Sequence, residues 1–243
     1  MDKLIYLLWP RTPMAPAIRR TTLLDECAPS ILADGARYLT MRIDDDLARV
    51  PSPAPSTKRN DPFAAEVSVW LPDNKRRRDA VEDVLRDAGF DIAGYRVDEH
   101  LYTDYGGNRH AKARDWADGE RSPGIVSVTP LERPRRMSKE RWMRHWFNRQ
   151  GPMSEAMQPR SRYVRNIVLD VLTADAVPYA GIVEESWPSA HHITDAKAFY
   201  GARGRLELVR NMAIMAQSVA AFLPIWRIVS VTTSEYFVKS PRR

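Results

Sequence analysis

The residues of this chain best suited to chemistry gather in its second half. Trp142, His145 and Trp146 stand at helical spacing. An imidazole titrates near neutrality, so His145 can act as a general acid or base against an aromatic wall. The same spacing also suits a packed histidine bonded to a backbone carbonyl within a core stripe. Tyr163 and Asn166 lie three residues apart on one predicted strand, so their side chains face opposite sides of the sheet. Asn166 can donate to a substrate oxygen. Tyr38, Tyr163 and Tyr179 are either phenolic acids or core aromatics with satisfied hydroxyls. Glu184 and Glu185 are neighbours on a strand, so one faces in and one out, and a buried carboxylate needs a cation. Arg165, Arg203 and Arg205 are the candidate partners. Glu184 then reads as a base, an orienting group or a structural ion pair. Arg203 and Arg205 carry planar forks that suit a carboxylate, or they mark an exposed loop. Trp142, Trp146, Trp187 and Trp226 can shield a site from water.

His191-His192 offers two imidazoles, but adjacent positions rarely chelate one ion, and no His-x-Glu-x-His pattern stands near. The single Cys27 excludes an internal disulfide and a cysteine-built metal site. No glycine-rich phosphate loop is present. The expectation is chemistry without metal, flavin or nicotinamide.

These residues must be positioned by regular elements. Lys3 to Trp9 reads as a strand, about Ala15 to Ala33 as a helix stopped by Gly35, and Arg37 to Ile43 as a second strand. Asp44 to Asp61, rich in Asp, Pro and Ser, reads as a loop. Ala65 to Trp70 is a third strand, Asp73 caps a helix ending at Gly89, and Phe90 to Tyr102 is a fourth strand. The order is βαββαβ. Asp104 to Ser122 reads as a linker, after which the order recurs. Ile125 to Val128, Tyr163 to Val171, Tyr179 to Trp187 and Trp226 to Phe237 are strands. Helices run from the Ser138 cap to Met157 and over about Thr194 to Phe222, with Thr194 a candidate cap.

Local landmarks repeat in the same order: Pro29 and Pro152, Arg37-Tyr38 and Arg162-Tyr163, Trp70 and Trp187. Duplication is therefore expected, with two ferredoxin-like halves, 1–105 and 121–243, forming an internal α+β barrel. A ferredoxin-like half exposes one apolar sheet face, and two such sheets can cover each other.

The 243 residues are 44% hydrophobic, enough for one large or two small cores. No apolar run reaches the roughly 18 residues of a membrane span, and Met1 to Trp9 lacks the features of a signal peptide. A cytoplasmic location is expected. The chain carries 37 basic and 31 acidic residues, a net charge of +6. The bases are interspersed with acids: Lys75 to Arg78 is followed at once by Asp79, Glu82 and Asp83. That pattern reads as a solvated helix face, not a phosphate track, so no nucleic-acid partner is expected. The surplus charge can also attract small anionic substrates. Homodimerisation is open.

The stretch Leu131 to Trp187 resembles the EthD family. It holds Arg133-Pro134, a helix with His145-Trp146, Gln150-Gly151-Pro152, Tyr163-Val164-Arg165-Asn166 and Gly181-Ile182-Val183-Glu184. Gln150 stands where the family usually has histidine, and Ile167 stands where it often does; both are positions for a proton-transfer group. The resemblance implies the dimeric α+β barrel superfamily, with small-molecule chemistry in the cleft between helices and sheet. It places Arg203 and Arg205 in the segment that closes that cleft. The expected activity is cofactor-independent lyase chemistry, decarboxylation or cyclisation with dehydration, on an aromatic or polyketide-like acid in a catabolic or biosynthetic pathway. The alternatives are a cofactor-free monooxygenase and a non-catalytic ligand-binding accessory protein.

Overall fold

The structure, a computed structural model, describes residues 1–52, 62–72 and 75–241. Eight strands form it: β1 (Asp2–Pro10), β2 (Tyr38–Ile43), β3 (Ala65–Leu71), β4 (Phe90–Thr103), β5 (Ile125–Leu131), β6 (Arg162–Val171), β7 (Gly181–Trp187) and β8 (Val231–Lys239). They close into one barrel in the order β1-β3-β2-β8-β5-β7-β6-β4, and every pairing is antiparallel. The order β4-β1-β3-β2 is repeated as β8-β5-β7-β6, and the seams are β2 with β8 and β4 with β6. The expected strand over Trp226 to Phe237 starts later, at Val231, because Ile225–Arg227 makes a 3-10 turn just after Pro224.

Helices cover the outside. They are α1 (Pro16–Thr21), α2 (Ala28–Ala33), α3 (Lys75–Asp87), α4 (Lys139–His145), α5 (Gly151–Met157), α6 (His191–Thr194), α7 (Ala196–Phe199) and α8 (Arg205–Phe222). Between α1 and α2, and again between α4 and α5, the helix widens into a π-helical stretch, Thr22–Cys27 and Trp146–Gln150. Each stretch stops just before a residue that precedes proline, Pro29 or Pro152. Proline supplies no N–H and its ring clashes with the carbonyl one turn back, so a local widening accommodates it without breaking the helix. The repeated proline is thus a structural repeat.

The other two repeated landmarks diverge in orientation. Tyr38 and Trp70 pair across β2 and β3 on the lumen side, where Lys3 sits over the Trp70 ring. Tyr163 and Trp187 belong instead to the outer face, packed under helices. The shared chain positions do not occupy shared places.

Ser138 caps α4 as expected, accepting from the Arg141 N–H. Thr194 is no cap: it ends α6 and donates to the Ala190 carbonyl, while Asp195 caps α7. Asp73 and most of the first long loop lie outside the described residues. The 104–122 segment is more than a linker. Tyr105 is buried and its hydroxyl donates to Glu235 at 2.9 Å, and the Asp104 carboxylate accepts from Arg162 at 3.2 Å.

The lumen is filled. Part of it is apolar, including Ile5, Leu7, Tyr95, Val128 and Ile182. The remainder is ionic: Lys3, Arg42, Arg162, Glu66, Glu184 and Glu235 are all buried. Among the described residues no helix is long and apolar enough to cross a membrane.

Candidate functional site

A cleft of about 850 Å³ lies where three chain segments meet. Residues Glu132 to Arg136 follow β5, Val177 to Ala180 connect β6 to β7, and Leu223 to Arg227 follow α8. Trp142 of α4 forms part of its wall and Trp226 part of its rim. Trp142 is buried and its indole N–H has no hydrogen-bond partner among the described residues. Trp226 is 67% exposed. Tyr179 also lines the cleft and packs on Tyr95, ring centroids 5.9 Å apart. Burial, then the neighbouring Glu132, push the Tyr179 phenol up, so it stays protonated at neutral pH.

The electrostatics are one-sided. Arg133, Arg135, Arg136, Lys139 and Arg227 face a single lining carboxylate, Glu132, which pairs with Arg227 at 3.0 Å. Among the described residues no carboxylate lies within ion-pair distance of Arg133, Arg135, Arg136 or Lys139. Unpaired cations around an aromatic wall focus a positive field on the cleft and favour a flat anion. The signal was present in the sequence as three arginines in four positions after a strand, Arg133 to Arg136. Of these, Arg133 belongs to the EthD-like Arg-Pro turn, and Arg135 and Arg136 belong to no family landmark.

The other candidates fall in four separate places. Asn166 and Glu184 lie in the lumen. Glu184 pairs with Lys3 at 3.0 Å and Arg42 at 2.7 Å, and it accepts from Asn166 at 2.8 Å. Its expected partners Arg165, Arg203 and Arg205 do not reach it; the nearest cations come from β1 and β2, and Arg162 of β6 stands at 3.7 Å. Burial raises the Glu184 carboxyl, but Arg42, Lys3 and Arg162 outweigh it and hold the group at about 2. Glu185 faces outward and pairs with Arg160 at 2.5 Å.

His145, Trp146 and Tyr163 lie between sheet and helices. The His145 Nε2 is 3.0 Å from the Ser218 carbonyl, and its ring stacks on Phe222 at 5.0 Å. A carbonyl only accepts, so Nε2 carries the proton. Burial lowers the His145 pKa, which keeps the ring neutral. The Trp146 indole donates to the Tyr163 hydroxyl at 3.3 Å, and burial pushes that phenol up despite Arg160. Gly181 makes room here, since a Cβ would stand 2.7 Å from the Trp146 ring.

Trp187 belongs to a third place. It donates to the Ser127 hydroxyl at 3.1 Å and stacks on Phe199 at 4.8 Å. Arg203 and Arg205 are exposed beside the start of α8, whereas the cleft is at its far end. At 1.5 Å per residue the two are about 27 Å apart along the helix. Of the candidates, Trp142, Tyr179 and Trp226 line the cleft.

His192 interacts with Ser189 at 2.9 Å, and among the described residues no group of three His, Cys, Asp or Glu is placed to hold a metal ion.

No protein-family model matches the chain, and no curated protein matches it. Solved structures do. An anthrone oxidase-like protein aligns at 10% identity with a TM-score of 0.52, covering 98% of this chain and 94% of that one. A monooxygenase candidate from Fusobacterium nucleatum aligns at 6% identity and TM-score 0.46, covering 98% and 93%. The first likeness, at 10% identity, concerns the fold alone.

Proposed function

We propose that the chain is a small-molecule enzyme that binds an electron-rich hydroxyaromatic anion in the cleft between β5, the β6–β7 connection and the end of α8, and oxidises it with molecular oxygen. The reading rests on one observation: five cations and three aromatic rings line the cleft against one carboxylate. Cations lower the pKa of a bound phenol or enol and stabilise its anion. An anion of that kind can give electrons to oxygen. For a ring methylene between two aromatic rings, one O2 converts CH2 to C=O and releases one water. Glu132 is the cleft carboxylate able to take the first proton, and Trp142 can donate its indole N–H to the substrate oxygen. The name of the anthrone oxidase-like neighbour suggests anthrone itself as a probe.

A second reading, non-oxidative loss of CO2 from an aromatic acid, is favoured by Tyr179. Its protonated phenol lines the cleft and can deliver a proton to carbon while an arginine holds the departing carboxylate. His145 and Tyr163, engaged with Ser218 and Trp146, are replaced in that role by Tyr179. Both readings sit on a chain built of two ferredoxin-like halves, 1–105 and 121–243, the second EthD-like. The repeated strand order supports the halves.

The experiment is incubation of the purified chain with anthrone and with hydroxybenzoic acids, under air and under nitrogen. Quinone formation in air alone supports oxidation. Undiminished CO2 release under nitrogen moves the assignment to a lyase. Tight binding with neither product makes the chain a ligand-binding protein.

A further inference from the structure

Among the described residues five arginines are buried: Arg19, Arg42, Arg160, Arg162 and Arg165. Four of them meet a carboxylate. Arg19 pairs with Asp44 at 2.9 Å, Arg42 with Glu66 at 2.5 Å, Arg160 with Glu185 at 2.5 Å and Arg162 with Asp104 at 3.2 Å. Arg165 is 7% exposed, yet among the described residues no carboxylate lies within ion-pair distance of it. Its Nε and Nη1 are buried without a hydrogen-bond partner. A buried charge left without a counterion is strongly disfavoured, and proteins rarely retain one without use.

The surroundings are built around that guanidinium. It lies 3.8 Å from the Phe147 ring centroid and 4.5 Å from that of Tyr102. Gly151 backs it: a Cβ there would stand 2.9 Å from Nη1. Gln150, next to Gly151, has a buried carbonyl oxygen with no donor, and its amide nitrogen reaches only the Met215 sulfur at 3.3 Å. The rings lie against the guanidinium, and what it lacks is an acceptor along its in-plane edge, at Nε and Nη1. A planar carboxylate fits such an edge by two parallel N–H···O bonds. Tyr102, 37% exposed, offers a ring at the rim for an aromatic body.

We infer that Arg165 anchors a second anion site, between β6 and the π-helical stretch Trp146–Gln150, that takes a small aromatic carboxylate. This site is separate from the cleft, which Arg165 does not line. Burial also lowers the Arg165 pKa, in keeping with a cation that lacks its counterion.

The test is calorimetric titration of the full chain with benzoate and, separately, inorganic phosphate, alongside thermal unfolding. Wild type is expected to bind benzoate at one more site than Arg165→Met, and affinity at that site falls at least about tenfold in Arg165→Lys, which keeps the charge but loses the fork. Arg136→Ala, a change in the cleft, leaves this site intact, so failure of the cleft reading and failure of this one are distinguishable. Should the Arg165 variants not fold, Tyr102→Leu at the rim reads the same site and is expected to weaken benzoate more than phosphate. Equal benzoate stoichiometry and affinity in wild type and variants overturns the inference. So does phosphate binding that excludes benzoate, which would make the ligand another class of anion.

Discussion

Arg42 of β2 and Glu184 of β7 meet at 2.7 Å inside the barrel, and the same guanidinium also holds Glu66 and Glu235. One cation thus joins four strands, β2, β3, β7 and β8, across the seam between β2 and β8. Removing Arg42 leaves three carboxylates buried together. Arg42→Met is expected to lose about 3–5 kcal/mol at neutral pH, the usual cost of stranding buried charge. The stranded carboxylates would titrate upward, so the variant should recover stability as pH falls. Urea unfolding at neutral and mildly acidic pH reads both effects.

Glu184 gives a pH signature of opposite sign. Its folded pKa, about 2, lies below the ordinary 4.5, so its contribution to stability is present above 4.5 and is lost as pH falls towards 2. Burial raises Glu66 despite Arg42, so its contribution runs the other way and partly offsets this loss. Glu184→Gln should be less stable than wild type at neutral pH and should lose less on acidification. Parallel acid-unfolding curves for the two proteins would contradict this.

His145 is expected to be structural. Its folded pKa is lowered by burial, so its contribution is complete above 6.5 and is lost as pH falls below that value. His145→Asn should reduce thermal stability, with a smaller acid penalty than wild type, and leave turnover close to wild type. A loss of turnover with unchanged KM would return His145 to a catalytic role.

Cleft charge should be read in binding. Arg135→Ala and Arg136→Ala are expected to raise KM for an anionic substrate roughly three- to tenfold each, with smaller effects at high salt. Neither side chain packs in the core, so thermal stability should hold. A change in kcat alone would place these arginines outside substrate binding.

Gly181→Ala tests the packing under α4 and α5. The added Cβ would stand 2.7 Å from the Trp146 ring, and Trp146 is buried. Overpacking of this kind costs about 1–3 kcal/mol. Trp146→Phe in the same chain should relieve part of it, as read by thermal unfolding of the double variant.

The order of strands and helices was legible because it is local. Alternation of apolar residues, glycines at Gly35 and Gly89 and the caps act over a few residues, and both glycines take positive φ. Proline at Pro29 and Pro152 likewise shaped its helices through neighbours on the same turn. The opposite facing of Tyr163 and Asn166 followed from strand periodicity alone. Partnership did not. Glu184 finds Lys3 at a separation of 181 residues, a distance over which no local pattern carries information. Tyr38 and Tyr163 shared a sequence context yet fell on opposite sheet faces, because a one-residue offset in a strand reverses every side chain. The cleft is likewise a tertiary product. Arg136, Tyr179 and Trp226 belong to three different connections, and barrel closure alone brings them to one place.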